Sequence, residues 1–197
     1  MHPEITPRTC PASDISVLRS GENFTIDFTW NDTTPVWAQP GFKDFLGNIV
    51  NAPLNMNARE GQACDAVEFF LDLRPMESIG RWTSNIDANP PGILRLGVYQ
   101  ELVEGKPIAK FITHPILPAD AVTLTTQCEH RYRLSVRAKA AGPCAGFSMR
   151  VTDNTILKTD STPAFLLAGY PQYLGKDPMA FIQMSESEEG VLCRLGY

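Results

Sequence analysis

The chain has no apolar run of roughly 18 residues, the length a membrane-spanning helix needs, so no membrane partner is expected. It has no basic excess either: 17 lysines and arginines against 22 aspartates and glutamates leave a formal net charge of −5. That balance argues against a nucleic-acid partner. Histidine is scarce, at three residues, and none of the five cysteines falls in a C-x-x-C spacing, so no zinc site is expected. The opening stretch MHPEITPRTCPASDIS is polar and lacks an apolar h-region, so no secretory leader is expected in it. Helical periodicity is the most telling shortage. No segment keeps apolar residues at a 3.6-residue spacing for three turns.

Breakers, by contrast, are plentiful. Sixteen prolines and fourteen glycines punctuate the whole length, leaving segments of about eight residues, a rhythm that favours strands. Several segments alternate cleanly between apolar and polar residues. NFTIDFTW (23–30) puts Phe24, Ile26, Phe28 and Trp30 on one face. ILRLGVYQ (93–100) turns Leu94, Leu96 and Val98 inward and Arg95 and Tyr99 outward, and the turn VEGK predicts a hairpin with PIAKFIT (107–113). RYRLSVRA (131–138) and GFSMRVTD (146–153) alternate as well, and the intervening AAGP predicts a second hairpin. AFLLAGY (164–170) reads as a buried strand. Residues 37–64 and 76–92 are expected to be irregular. The fold class is all-β, a sandwich of mainly antiparallel strands with long loops, formed by residues 1–197 as one domain with 1–20 as an irregular lead-in. Cys128 and Cys144 are near enough in sequence to be bridged if a turn joins them.

The strand DAVEFFLDLRP (65–75) has two different faces. Val67, Phe69, Leu71 and Leu73 make a core stripe, while Glu68, Phe70, Asp72 and Arg74 alternate with them. Two carboxylates and a guanidinium around a phenylalanine suit either a solvated face or the floor of a polar groove. A carboxylate accepts hydroxyl hydrogen bonds, a guanidinium offers a planar fork of donors, and an aromatic ring covers the C–H surface of a sugar. The groove accounts for the mixture better.

DAVEFFLDLRP resembles the acidic strand of family 9 carbohydrate-binding modules, a branch of the DOMON-like β-sandwiches. GFSMRVTD (146–153), followed by an apolar strand and the turn KDPMAF (176–181) leading into a last strand, resembles the C-terminal end of the same modules. The order and spacing fit from about residue 65 to 184. The resemblance implies a non-catalytic module that binds a poly- or oligosaccharide in a groove. It implies Glu68 as the groove carboxylate, Arg95 as the arginine of the next strand, and Arg150 as a polar groove residue. Tyr173 or Tyr170 would be the aromatic before the KDP turn. A tryptophan expected near Gln62 is absent, and Trp82 or Trp37 would replace it from another loop. The resemblance further implies an extracellular or cell-surface setting, as an appendage of a larger carbohydrate-active protein. It also allows a structural calcium ion, with Asp65, Asp153 and Asp87 as candidate oxygen ligands.

Two other classes compete with this reading. Glu68 with Asp72, or Asp65 with Glu68, resembles the paired carboxylates of a glycosidase, but no other segment supplies an acid in comparable context. A sandwich that binds another protein and no small ligand is the second rival.

Overall fold

The computed structural model describes residues 12–33, 35, 37–38, 64–79, 91–152, 164–167, 182–185 and 191–195. Its strands are β1 (Ala12–Ser20), β2 (Asn23–Trp30), β3 (Ala66–Asp72), β4 (Ile93–Val103), β5 (Lys106–His114), β6 (Val122–Cys128), β7 (Arg131–Arg137), β8 (Cys144–Thr152), β9 (Ala164–Leu167), β10 (Ile182–Ser185) and β11 (Val191–Leu195). Among the described residues the only helical element is a 3-10 turn at Met76–Ser78. One sheet, sheet A, runs β11-β1-β2-β7-β6. The other, sheet B, runs β10-β8-β3-β4-β5, with β9 also pairing β8. All of these ladders are antiparallel. The expected β-sandwich is the observed fold.

The apolar phases of the two sheets meet to form one core. Phe28 of sheet A packs on Phe69 of sheet B with ring centroids 5.2 Å apart at 59°, a tilted geometry that suits the ring quadrupoles. Phe28 also stacks on Tyr132, and Phe69 on Phe147. Trp30 is buried in the same cluster, as its phase with Phe24 and Phe28 implies. A polar bond crosses between the sheets: Gln100 Nε2 donates to the Tyr132 hydroxyl at 2.8 Å, giving a buried phenol its partner.

Three expectations need correction. Residues 12–20, read as part of an irregular lead-in, form β1, which pairs with both β2 and β11. A bulge between Ser13 and Ser16, with Asp14 at φ 50°, inserts one residue opposite β2. The inward set therefore switches from Ala12 to Ile15, Val17 and Arg19, which hides the alternation. Second, β7 and β8 are not a hairpin. Their apolar stripes face each other across the core, and residues 138–143 pass between the sheets. Ala138 N–H donates to Glu22 O at 2.8 Å and Ala141 N–H to Leu73 O at 2.7 Å, pinning this crossing to both sheets. Third, Cys128 and Cys144 end in different sheets, and both are free thiols.

The β4–β5 hairpin forms as expected, with Glu104 and Gly105 at φ 50° and 76°. Gly92, at φ 88°, opens β4 where an added Cβ would lie 2.7 Å from Arg74 Cγ, so only glycine fits there.

Candidate functional site

β3 is the central strand of sheet B, so every residue on its outer face has a cross-strand neighbour on both sides. Phe70 lies between Arg95 on β4 and Ser148 on β8; Glu68 lies between Gly97 and Arg150; Asp72 lies between Ile93 and Gly146. The fold thus brings the backbones of the expected groove residues Glu68, Arg95 and Arg150 onto three adjacent strands. Gly97 offers no side chain opposite Glu68, which leaves the diagonal open to Arg95. Arg95 uses it: Nε and one terminal nitrogen donate to Glu68 Oε1 at 2.9 and 2.6 Å. The same guanidinium lies 5.6 Å from the Phe70 ring centroid, within reach of a cation–π attraction.

This face is not a solvated one. Glu68 and Asp72 are 0% exposed, Phe70 is 1% and Arg95 is 7%. Such burial makes hydrogen-bonded pairing obligatory for the charges. Asp72 obtains it from Arg74, two residues along the same chain, whose Nε and terminal nitrogen donate to its two carboxylate oxygens at 2.8 and 2.7 Å. Glu68 and Asp72, the carboxylates a glycosidase would pair, are each held by an arginine.

Asp65 is buried immediately before β3. Its neighbour Cys64 has a thiol pushed up to about 12, chiefly by burial and then by the Asp65 charge. No group of three or more His, Cys, Asp or Glu able to hold a metal ion occurs among the described residues. Trp37 is half-buried. Tyr170, Tyr173, Trp82, Asp87 and Asp153 lie outside the described residues.

Sequence reasoning found the polar face of β3 and missed two of its parts. Ser148, fully buried beside Phe70, was passed over as one more polar position in GFSMRVTD. Phe70, which belongs to the mixed face but was not among the expected site residues, is the surface on which Arg95 lies. The signal was available in the alternation, because residues in phase on β3, β4 and β8 must share a face.

The fold and this face define an all-β sandwich with a charged, buried array on the outside of one sheet. No family model matches the chain, and no curated protein or solved structure matches it.

Proposed function

We propose that the chain is a non-catalytic saccharide-binding sandwich of the family 9 module kind, with the outer face of sheet B as the floor of its site. The observation that carries this reading is the fixed guanidinium of Arg95, gripped by Glu68 and laid on Phe70. A fork of donors held in one orientation loses little entropy on meeting sugar hydroxyls. Glu68 is wholly buried and Arg95 is 7% exposed, so a ligand would meet only the exposed edge of the arginine. Glu68 acts through it as a positioning residue. Arg150, across from Glu68 on β8, together with Tyr170, Tyr173 and Trp82, would complete the groove.

A glycan array on the intact chain tests the reading. Selective, reversible retention without product formation is expected. Arg95→Lys, which keeps the charge and loses the fork, should weaken retention by about 1–3 kcal/mol. Retention of no glycan, or turnover of a polysaccharide at substoichiometric protein, would overturn it. Calcium is part of the same proposal, with Asp65, Asp153 and Asp87 as ligands. Added calcium should raise the thermal midpoint and chelator lower it; an unchanged midpoint with no bound metal by elemental analysis removes the ion. The proposed setting is extracellular, beside the other domains of a carbohydrate-active protein.

A protein-binding role is favoured by one separate observation. The β4–β5 hairpin leaves Leu102 and Phe111 on one face, and Val103 and Ile108 on the other, between 38% and 46% exposed, apolar surface on both sides of a single hairpin. Leu102→Thr with Phe111→Thr should leave saccharide retention intact if the first reading holds.

A further inference from the structure

The outer face of sheet A differs from that of sheet B in being open to water. On it, one row across three strands consists of short hydroxyl side chains: Thr25 on β2 faces Ser135 on β7, which faces Thr123 on β6. Rows two residues away along the strands, about 7 Å on either side, carry longer groups. On one side, Asn23 is opposite Arg137, whose guanidinium donates to Asp120 at 2.7 Å. On the other, Asp27 is opposite Arg133, whose Nε and terminal nitrogen donate to its two oxygens at 2.7 and 2.8 Å. Short side chains between taller neighbours make a depression. An open depression of about 170 Å³ lies on the Asn23–Arg137 side of the hydroxyl row, lined by Asn23, Thr25, Thr123, Ser135, Arg137 and Asp120 among others.

We propose that this depression is a second binding site, for a neutral polyhydroxyl ligand of about one pyranose ring. The row spans two strand spacings, about 10 Å, which suits one ring and its substituents. Its hydroxyls and the Asn23 amide each donate and accept, matching a sugar hydroxyl, which does both. Among the described residues, none hydrogen-bonds the Thr25, Thr123 or Ser135 hydroxyl. Charge does not favour an anion, because Arg137, the guanidinium that lines the depression, is already paired with Asp120. The site shares its ligand class with the proposed function but none of its residues, and it stands or falls separately.

Amide chemical-shift mapping on the isotope-labelled chain separates the two sites. The probes are the methyl glycosides of glucose, galactose and mannose at millimolar concentration. Shifts are expected at β2, β6 and β7 around Thr25, Thr123 and Ser135. They should need about tenfold more glycoside in the triple variant Thr25→Val, Thr123→Val, Ser135→Ala, which keeps the shapes of the strand residues while deleting the hydroxyls. Ser135→Gln, a single change on an open face, should block the depression without unfolding the sheet and serves if the triple variant does not fold. Shifts confined to β3, β4 and β8 would overturn this second site while supporting the first. No shifts with any glycoside, or equal affinity in the variants, would also overturn it.

Discussion

Glu68 and Arg95 show how burial changes what a residue pair can report. On an open groove, removing either would cost binding and spare the fold. With Glu68 fully buried and Arg95 nearly so, truncating one leaves the other charged and without its closest partner in a dry site. Breaking a buried pair in this way costs about 3–5 kcal/mol, whereas replacing both members with apolar residues of similar volume is often close to neutral. Glu68→Ala should therefore destabilise the chain by about that amount. Glu68→Leu combined with Arg95→Met should recover most of the loss and abolish the proposed saccharide contact. Denaturant unfolding of the single and double variants checks both statements. A single variant as stable as the parent would mean that water reaches the pair.

Strands were legible where period and breaker agreed, and illegible where one residue upset the count. β2 and β7 could be read because each keeps a period of two over its whole length, β4 because Leu94, Leu96 and Val98 alternate, and β5 because Gly105 marks the turn that joins it to β4. β1 could not, because its bulge changes the phase and its buried Arg19 occupies an inward position, where Nη1 donates to Pro143 O at 2.9 Å. The β7–β8 connection was misread because local pattern does not show whether adjacent strands pair or face each other. The candidate site was half legible. Alternation placed Glu68 and Arg95 on one face, but burial of an outward face depends on distant chain that no period reveals.

Two predictions belong to single strand pairs. Glu104, at φ 50°, occupies the first position of a two-residue turn that favours Asn-Gly, so Glu104→Asn should raise stability by about 0.5–1 kcal/mol. A higher denaturant midpoint at unchanged slope is the expected result. On β2, the hydrogen bonds from Arg133 hold the Asp27 carboxyl below its ordinary 3.8. A depressed folded-state value stabilises above the ordinary one and is lost as pH falls through it and then through the folded value. Asp27→Asn should consequently be less stable than the parent at neutral pH, by less than about 1 kcal/mol because the pair is partly solvated. The gap should begin to narrow as pH falls through about 3.8 and close once it is below the depressed folded-state value. A gap that persists in acid would assign the difference to something other than this ionisation.

For the molecule as a whole, the contrast between the sheets fixes where the fold is hardest to open. β2 in sheet A is buried on its inner face only; Thr25, Asp27 and Thr29 opposite are half-exposed. β3 in sheet B is buried on both faces along its whole length and is hydrogen-bonded to β4 and β8. Exposing any of its amides means parting the core on one side and stripping the Glu68–Arg95 and Asp72–Arg74 pairs on the other. Local opening cannot achieve that, so β3 amides should exchange only with the free energy of global unfolding. β6, an edge strand with most of its side chains in water, should exchange through smaller openings and far faster. Native-state hydrogen exchange measured against denaturant will separate the two. If β3 exchanged as readily as β6, its outer face would be wet, the arginine would not be fixed, and the preorganised donor on which saccharide binding is proposed would be gone.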